Sequence, residues 1–411
     1  MRHYDIFTLG NGIRVVHNQI TTTKIVHCGI MLDIGSRDET ADNQGIAHFW
    51  EHMAFKGTRK RKAFHILNRL EALGGELNAF TDKEKILFYA SLRDEYVERA
   101  VELLTDITFD SIFPKNQIEK ERNVILEEMS MYSDDPDDSL QDEFDNVIFK
   151  GHALGMNILG TEKTVKSFRR KDFRDFINAN LDTSRIVFSC VGNVSKEKVI
   201  QLAQKYMDSI PKLTARQSRK RFSGYKPKEV TIRKAVKQAR VAIGRTSYNL
   251  SDERRSSFYM LTNILGGPGM NSRLNMALRE KYGFVYSIGA QFVPFTDTGL
   301  FVLSFGTEPS QVDRSIELIK NELKKLRKEK LGVKQLAAAK EQIMGQIAIA
   351  EESNISFMIM MARQLLDQDR VVPHEEMFKH IKNTSTSKLL ELANEMFQEK
   401  HMSYLFMKPI E

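Results

Sequence analysis

"VERAVELLTDI", residues 97–107, spaces its apolar side chains three and four apart, as a helix with one buried face does. Just before it stands "LFYAS" (87–91), a strand-like run, and the pair returns in the second half of the chain. There "FVLSF" (301–305) precedes "VDRSIELIKNELKKL" (312–326), and a strand pattern recurs as "KQARVAIGRTSY" near 237. An offset of roughly 210 residues between such pairs indicates tandem copies of one unit. In the first copy "YDIFTL", an Asn11-Gly12 turn signal, "IRVVHN" and "KIVHCGIMLDIG" read as strands. "GELNAF" and "KILFYASL" read as a further strand pair, and "RIVFSCVG" with the helix "KEKVIQLAQKYMDSI" closes the copy. The expectation is an α+β fold of two similar domains, each a mainly antiparallel sheet packed with helices. The first spans residues 1–212, a basic linker 213–229, and the second 230–411.

A chain of 411 residues has ample material for two cores. With 41% hydrophobic and 28% charged residues, and no apolar run near the eighteen or so that a membrane span needs, its composition is that of a globular protein without a membrane segment. The stretch "MRHYDIFTLGNGIRVV" lacks the pattern of a secretory signal, so the expected location is the cytoplasm. Cys28 and Cys190 lie in apolar runs without metal or disulfide spacing and read as buried thiols. The formal charge of +7 comes from 61 basic residues interspersed with 54 acidic ones, which argues against a nucleic-acid partner. The densest basic run, "RQSRKRFSGYKPK" at 216–228, reads as a solvated linker. The acidic "SDDPDDSLQDEFD" at 133–145 reads as a solvated interhelical loop. A long helical tract from 333 to 369, with Met344, Met358, Met360 and Met361, reads as core.

One stretch carries chemistry. "GIAHFWEHMAFKGT" (45–58) places His48 and His52 four apart with Glu51 between them. On a helix two such imidazoles project toward one point, and the glutamate shares their face. This geometry suits zinc, which in catalytic sites takes three protein ligands and leaves a position for water, whose proton a nearby carboxylate can accept. At the repeat offset these three residues fall opposite Ser257, Met260 and Leu261, so metal chemistry belongs to the first copy alone. A third ligand is available on the helix "QIEKERNVILEEMSMY" (117–132), and spacing leaves Glu121, Glu127 and Glu128 all open. Trp50, inside the motif, reads as packing.

The inverted His-x-x-Glu-His motif, the following "FKGT", the "GGELNAFTDKE" stretch and "ERNVILEEM" resemble the insulinase-like, or M16, metallopeptidases. "GHALGMNILGTEKTV" at 151 and "GGPGMNSRLNMALREKYGFVYSI" at 266 extend the likeness over nearly the whole chain, which is most similar to the half-length branch. The resemblance implies one zinc ion per chain held by His48, His52 and Glu128, with Glu51 as general base and Glu121 orienting a ligand. It further implies that Arg279 and Tyr286, seven apart in "LREKYGFVYS", reach from the metal-free domain to the substrate backbone and the developing oxyanion. "GELNAF" is a candidate edge strand onto which an extended peptide could add, with Asn78, Ala79 and Phe80 as substrate-binding residues and, as the resemblance implies, Asn78 beside the scissile bond. The reading competing for Asn78 is an Asn that satisfies its own local backbone.

By the same resemblance the activity is endopeptidase cleavage of peptides or unfolded polypeptide in a chamber between domains. Full-length family members build that chamber from four such domains and this chain has two, so a dimer is implied. Because one chain carries both the zinc motif and the Arg279–Tyr286 pair, a homodimer is expected, with a heterodimer with a metal-free homologue as the other arrangement. Two rival functions are a non-catalytic M16-like structural subunit and a basic-patch binder of acidic partners.

Overall fold

The computed structural model describes residues 4–410. Eleven strands form two sheets among these residues. The first contains β1 (Asp5–Thr8), β2 (Arg14–Gln19), β3 (Ile25–Leu32), β4 (Glu76–Thr81), β5 (Ile86–Arg93) and β6 (Ile186–Gly192), in the order β1-β2-β6-β3-β5-β4. The second contains β7 (Glu229–Lys234), β8 (Ala239–Ser247), β9 (Val285–Pro294), β10 (Gly299–Thr307) and β11 (Ser403–Pro409), in the order β7-β11-β8-β10-β9. Matching β2 to β7 and counting along the chain turns the first order, without β1, into the second. Each sheet has a single parallel pair, β2 with β6 and β7 with β11, at the equivalent place, and is otherwise antiparallel. The duplication expected from a few similar segments is therefore a duplication of topology, and the fold is α+β.

The helices repeat as well. In the first half they are α1 (Ile46–Ala54), α2 (Ala63–Glu71), α3 (Val97–Phe109), α4 (Lys115–Asp134), α5 (Pro136–Ile148), α6 (Glu162–Ser167), α7 (Arg170–Asn180) and α8 (Lys196–Met207). In the second half they are α9 (Arg255–Gly266), α10 (Val312–Lys328), α11 (Val333–Glu352), α12 (Asn354–Gln368), α13 (His374–Asn383) and α14 (Thr386–Met396). A long helix followed by a shorter one, α4–α5 and α11–α12, follows the last hairpin of each copy.

Two compact units result, and each takes a helix from the other half of the sequence. Unit 1 comprises residues 1–130, 156–220 and 349–371; unit 2 comprises 131–155, 221–348 and 372–411. In unit 1 the strand residues Val15, Ile30, Phe88 and Phe188 join one core with α1, α3, α7 and α8. Their neighbours Val16, Met31, Leu87 and Val187 point to the opposite face, where Phe357, Met358, Met361, Leu365 and Leu366 of α12 cover them. In unit 2 the core on one face joins Val241, Ile243, Phe301 and Leu303 to α9, α10 and α14. Ala242, Leu300, Val302 and Leu405, on the other face, are covered by Leu140, Phe144 and Ile148 of α5. A sheet buried on both faces needs apolar residues at successive positions, which explains continuous runs such as "RIVFSCVG".

Two local expectations are corrected, and a third is refined. The acidic run at 133–145 is mostly helix: Asp135 caps α5 by accepting the N–H groups of Asp137 and Asp138, and Pro136 occupies the first turn, where a missing N–H costs nothing. The tract 333–369 is helical as expected, in two pieces: Ser353 caps the second, α12, by accepting the Ser356 N–H. The basic run does not begin as a solvated linker, because the Arg219 guanidinium is buried between Asp33 and Asp38. Other expectations hold. Gly12 takes a left-handed φ of 98° in the Asn11-Gly12 turn, and Cys28 and Cys190 are buried free thiols facing each other across β3 and β6. Among the described residues no helix is long and apolar enough to cross a membrane.

Candidate metal centre

Helix α1 starts where the chain turns sharply at Gly45, whose φ of 93° lies in the left-handed region. A Cβ there would sit 2.5 Å from the Leu159 carbonyl oxygen, so only glycine fits. The free N–H groups of the first turn are met by a buried carboxylate: Gly45 and Ala47 donate to the two oxygens of Glu39, each at 2.8 Å. Burial pushes the Glu39 carboxyl up to about 8 against those two bonds. Ile46, Ala47, Phe49, Trp50, Met53 and Ala54 are all fully buried, and Trp50 packs against Phe88, as a packing role requires. The remaining stripe of the helix, one turn long, carries His48, Glu51 and His52.

Opposite this stripe lies α4, and its register decides among the three glutamates. Glu121, Ile125 and Glu128 share one face at spacings of four and three, and Glu127 is exposed elsewhere. His48 Nε2 lies 3.7 Å from one oxygen of Glu128, and His52 Nε2 lies 3.4 Å from the other. The ligand atoms of His48, His52 and Glu128 all lie within 4.8 Å of one another, the one such group among the described residues. Tetrahedral ligands about 2.0–2.1 Å from zinc stand about 3.3–3.4 Å apart, and the two contacts to Glu128 already lie near that spacing. Glu121 takes a different place: one oxygen meets His52 Nδ1 at 3.2 Å and the other meets Lys56 Nζ at 2.8 Å. A carboxylate on the far nitrogen of a histidine is the usual way to orient a metal-binding imidazole.

The electrostatics favour a cation. Burial draws His52 down, but hydrogen bonds to Glu121 and Glu128 outweigh it and hold the imidazole up at about 9. Burial and His52 push His48 down to about 4, which keeps its nitrogen free to donate a lone pair. Burial would raise Glu121 and Glu128, yet the bond from His52 to each leaves both below the usual range. The surroundings thus favour positive charge between the two carboxylates, and two imidazoles with a carboxylate form a donor set that zinc accepts. Glu51 accepts a hydrogen bond from the Thr81 hydroxyl at 2.6 Å, and burial lifts its carboxyl above the ordinary range against that bond.

The edge strand is β4, last in the first sheet. Leu77 and Ala79 pack toward the core that contains α1, and Phe80 packs toward the α12 face. Asn78 is exposed, and its side-chain oxygen accepts the Ala79 N–H at 2.9 Å, a bond to its own local backbone. In unit 2, Arg279 lies in a π-helix, Asn275–Glu280, and its guanidinium stands 5.7 Å from the ring centre of Tyr286 near the start of β9. Tyr286 is 86% exposed. The helix of the second copy that corresponds to α1 is α9, where Met260 and Leu261 are buried in the core in place of Glu51 and His52.

Thr81, Lys56 and Glu39 are the contributors that sequence reasoning passed over. Alternation from Ala79 along β4 was the one signal available for Thr81.

Comparison with known proteins places both halves. The family model for Insulinase (Peptidase family M16) matches residues 14–162, and that for the Peptidase M16 inactive domain matches residues 167–343. An uncharacterized zinc protease of Bacillus subtilis is 32% identical over 400 residues, covering 96% of each chain. One from Streptomyces coelicolor is 31% identical over 397 residues, covering 95% of this chain and 86% of its own. Among solved structures, a protease from Helicobacter pylori superposes over all of both chains with a TM-score of 0.94 at 22% identity, a likeness of fold.

Proposed function

Because the chain belongs to the M16 family of peptidases, we propose that it is a zinc-dependent endopeptidase that hydrolyses peptide bonds in peptides or unfolded segments. The observation that carries this reading is the convergence of His48, His52 and Glu128, with Glu51 one helical turn from His48 on the same stripe. Those three residues would hold one zinc ion, which when bound supplies a Lewis acid that polarises water and the scissile carbonyl. Glu51 is the base: its carboxylate takes a proton from the attacking water and returns it to the leaving amine. A carboxyl raised by burial suits both halves of that transfer, because it neither holds nor gives up the proton too tightly. Glu121 keeps His52 Nδ1 occupied, so that Nε2 is the nitrogen presented to the metal.

Substrate would add to the free edge of β4 in extended form, bonded by main chain and flanked by Asn78, Ala79 and Phe80. By the family resemblance, the half-buried Arg279 and the exposed Tyr286 would meet the substrate backbone and the oxyanion. A homodimer is the proposed assembly, and the cytoplasm, where Cys28 and Cys190 stay reduced, the proposed location.

The test is metal analysis with peptide cleavage. The purified chain should hold about one zinc, and a chelator should abolish cleavage of an unstructured peptide. Glu51→Gln should keep the metal and lose about 10²- to 10⁴-fold in kcat. A Glu51→Gln chain that cuts as fast as wild type, or cleavage indifferent to chelation, would overturn the reading in favour of a non-catalytic subunit.

A further inference from the structure

We propose that Thr81 is a positioning residue for the peptidase reaction: its hydroxyl pins Oε2 of Glu51 and leaves Oε1 as the oxygen that exchanges the proton. This rests on the peptidase reading above and adds to it a residue from outside the metal motif.

The Thr81 Oγ donates to Glu51 Oε2 at 2.6 Å, the short distance of a charge-assisted bond. Among the described residues it is the one hydrogen-bond partner of Glu51. A glutamate on a helix has three side-chain torsions, and without a partner its carboxylate would sample orientations in which neither oxygen faces the metal side of the stripe. A hydroxyl has one proton, so committing it to Oε2 assigns the two oxygens different tasks.

The end of β4 that carries Thr81 is fastened far more firmly than an ordinary hairpin requires. Its next four residues, Asp82 to Lys85, form the turn into β5, and Lys83, Glu84 and Lys85 are all buried. Asp82 Oδ1 accepts the N–H groups of Glu84 and Lys85 at 2.8 and 2.6 Å, and Arg363 of α12 holds the other Asp82 oxygen at 2.8 Å. Lys85 pairs with Asp367 of α12 at 2.6 Å, Glu84 with Arg37 at 2.6 Å, and Lys83 reaches the Met156 carbonyl at 2.7 Å. The backbone is docked too: Arg37 donates to the Lys83 carbonyl at 2.7 Å, and a Cβ on Gly35 would meet the Asp82 oxygen at 2.5 Å. Burying three charges in a turn is costly unless each is paired, and a four-residue turn needs none of them to close a hairpin. At the other end of the same strand, Glu76 and Asn78 are exposed. Rigidity is thus concentrated where the hydroxyl meets the base.

The experiment compares Thr81→Val, Thr81→Ser and Glu51→Gln in the full chain. Thr81→Val should keep zinc content and KM while kcat falls about 10- to 100-fold, the loss expected for one hydrogen bond to a charged group, and Thr81→Ser should recover most of it. In the metal-free protein, denaturant midpoints for Thr81→Val, Glu51→Gln and the double variant should show shifts that are less than additive. Wild-type kcat in Thr81→Val alongside a dead Glu51→Gln overturns this proposal and leaves the peptidase reading standing. An active Glu51→Gln overturns the peptidase reading instead. Loss of zinc in Thr81→Val, a serine variant no better than valine, or additive midpoints would each show a structural role and overturn the assignment.

Discussion

The two oxygens of Glu121 are taken by His52 Nδ1 and Lys56 Nζ, which makes this glutamate an orienting group and leaves Glu128 to face both imidazoles. Glu121→Gln should therefore weaken zinc binding by about 10- to 100-fold without abolishing it, whereas Glu128→Ala should abolish it. Competition against a chromogenic chelator measures both, and equal losses in the two variants would contradict the division of roles. The difference between them shows what was legible at this scale. The His48, Glu51 and His52 stripe was readable from sequence because helical spacing alone sets it. Which of Glu121, Glu127 and Glu128 completes the group was not readable from spacing, because it depends on the register of α4 against α1, a tertiary quantity. Thr81 was out of reach for the same reason: alternation says which face of β4 it occupies but not that α1 lies over that face. Glu39 sits in an irregular segment, where no periodicity points to a helix cap six residues ahead.

At the scale of elements, strands and the hairpins were legible because period-two alternation and turn residues are local signals, whereas the ends of elements were tied together by charges that read as solvent-facing. Asp33, one residue beyond β3, is the clearest case. It is bonded by Arg185 just before β6, lies 3.1 Å from Arg219 and 3.2 Å from Arg216 in the segment after α8, and 3.9 Å from Lys85 before β5. Burial pushes the Asp33 carboxyl up, and Arg219, Lys85 and Arg185 together outweigh it and hold it down at about 2. Removing it in Asp33→Ala leaves Arg185 without its carboxylate and takes one of two acidic partners from the buried Arg219 and Lys85, and should cost about 3–5 kcal/mol by denaturant unfolding at neutral pH. The sign of the pH dependence follows from the depressed value. The Asp33 contribution is present in full above the unfolded carboxyl's ordinary 3.8 and is lost as pH falls through about 2. The gap between wild type and Asp33→Ala should accordingly narrow on acidification across that window, and a gap that stays constant would remove Asp33 as its source.

At the scale of the whole molecule, contiguous halves of the sequence are not the compact units, and the exchanged helices say where the dependence lies. Duplication alone would let each half cover its own sheet, yet α12 covers the second face of the unit 1 sheet and α5 covers that of unit 2. Nothing in the amphipathic pattern of either helix encodes which copy of the sheet it will meet, since the two sheets present similar apolar faces; chain connectivity decides. Met361 of α12 is fully buried against strands from the first half of the sequence, and Phe144 of α5 is fully buried in unit 2. Met361→Ala should leave a cavity costing about 2–5 kcal/mol, and Phe144→Ala one of about 3–5 kcal/mol. Hydrogen exchange can tell which unit each cavity weakens. Met361→Ala should lose amide protection in β3 and β6 and weaken zinc retention, although it is remote in sequence from every ligand, while β8 and β11 stay protected. Phe144→Ala should do the reverse, losing protection in β8 and β11 and sparing the metal, although it lies only sixteen positions past Glu128. If each substitution instead loosened the sheet of its own half of the sequence, the helix exchange would be wrong, and the two copies would each close on themselves.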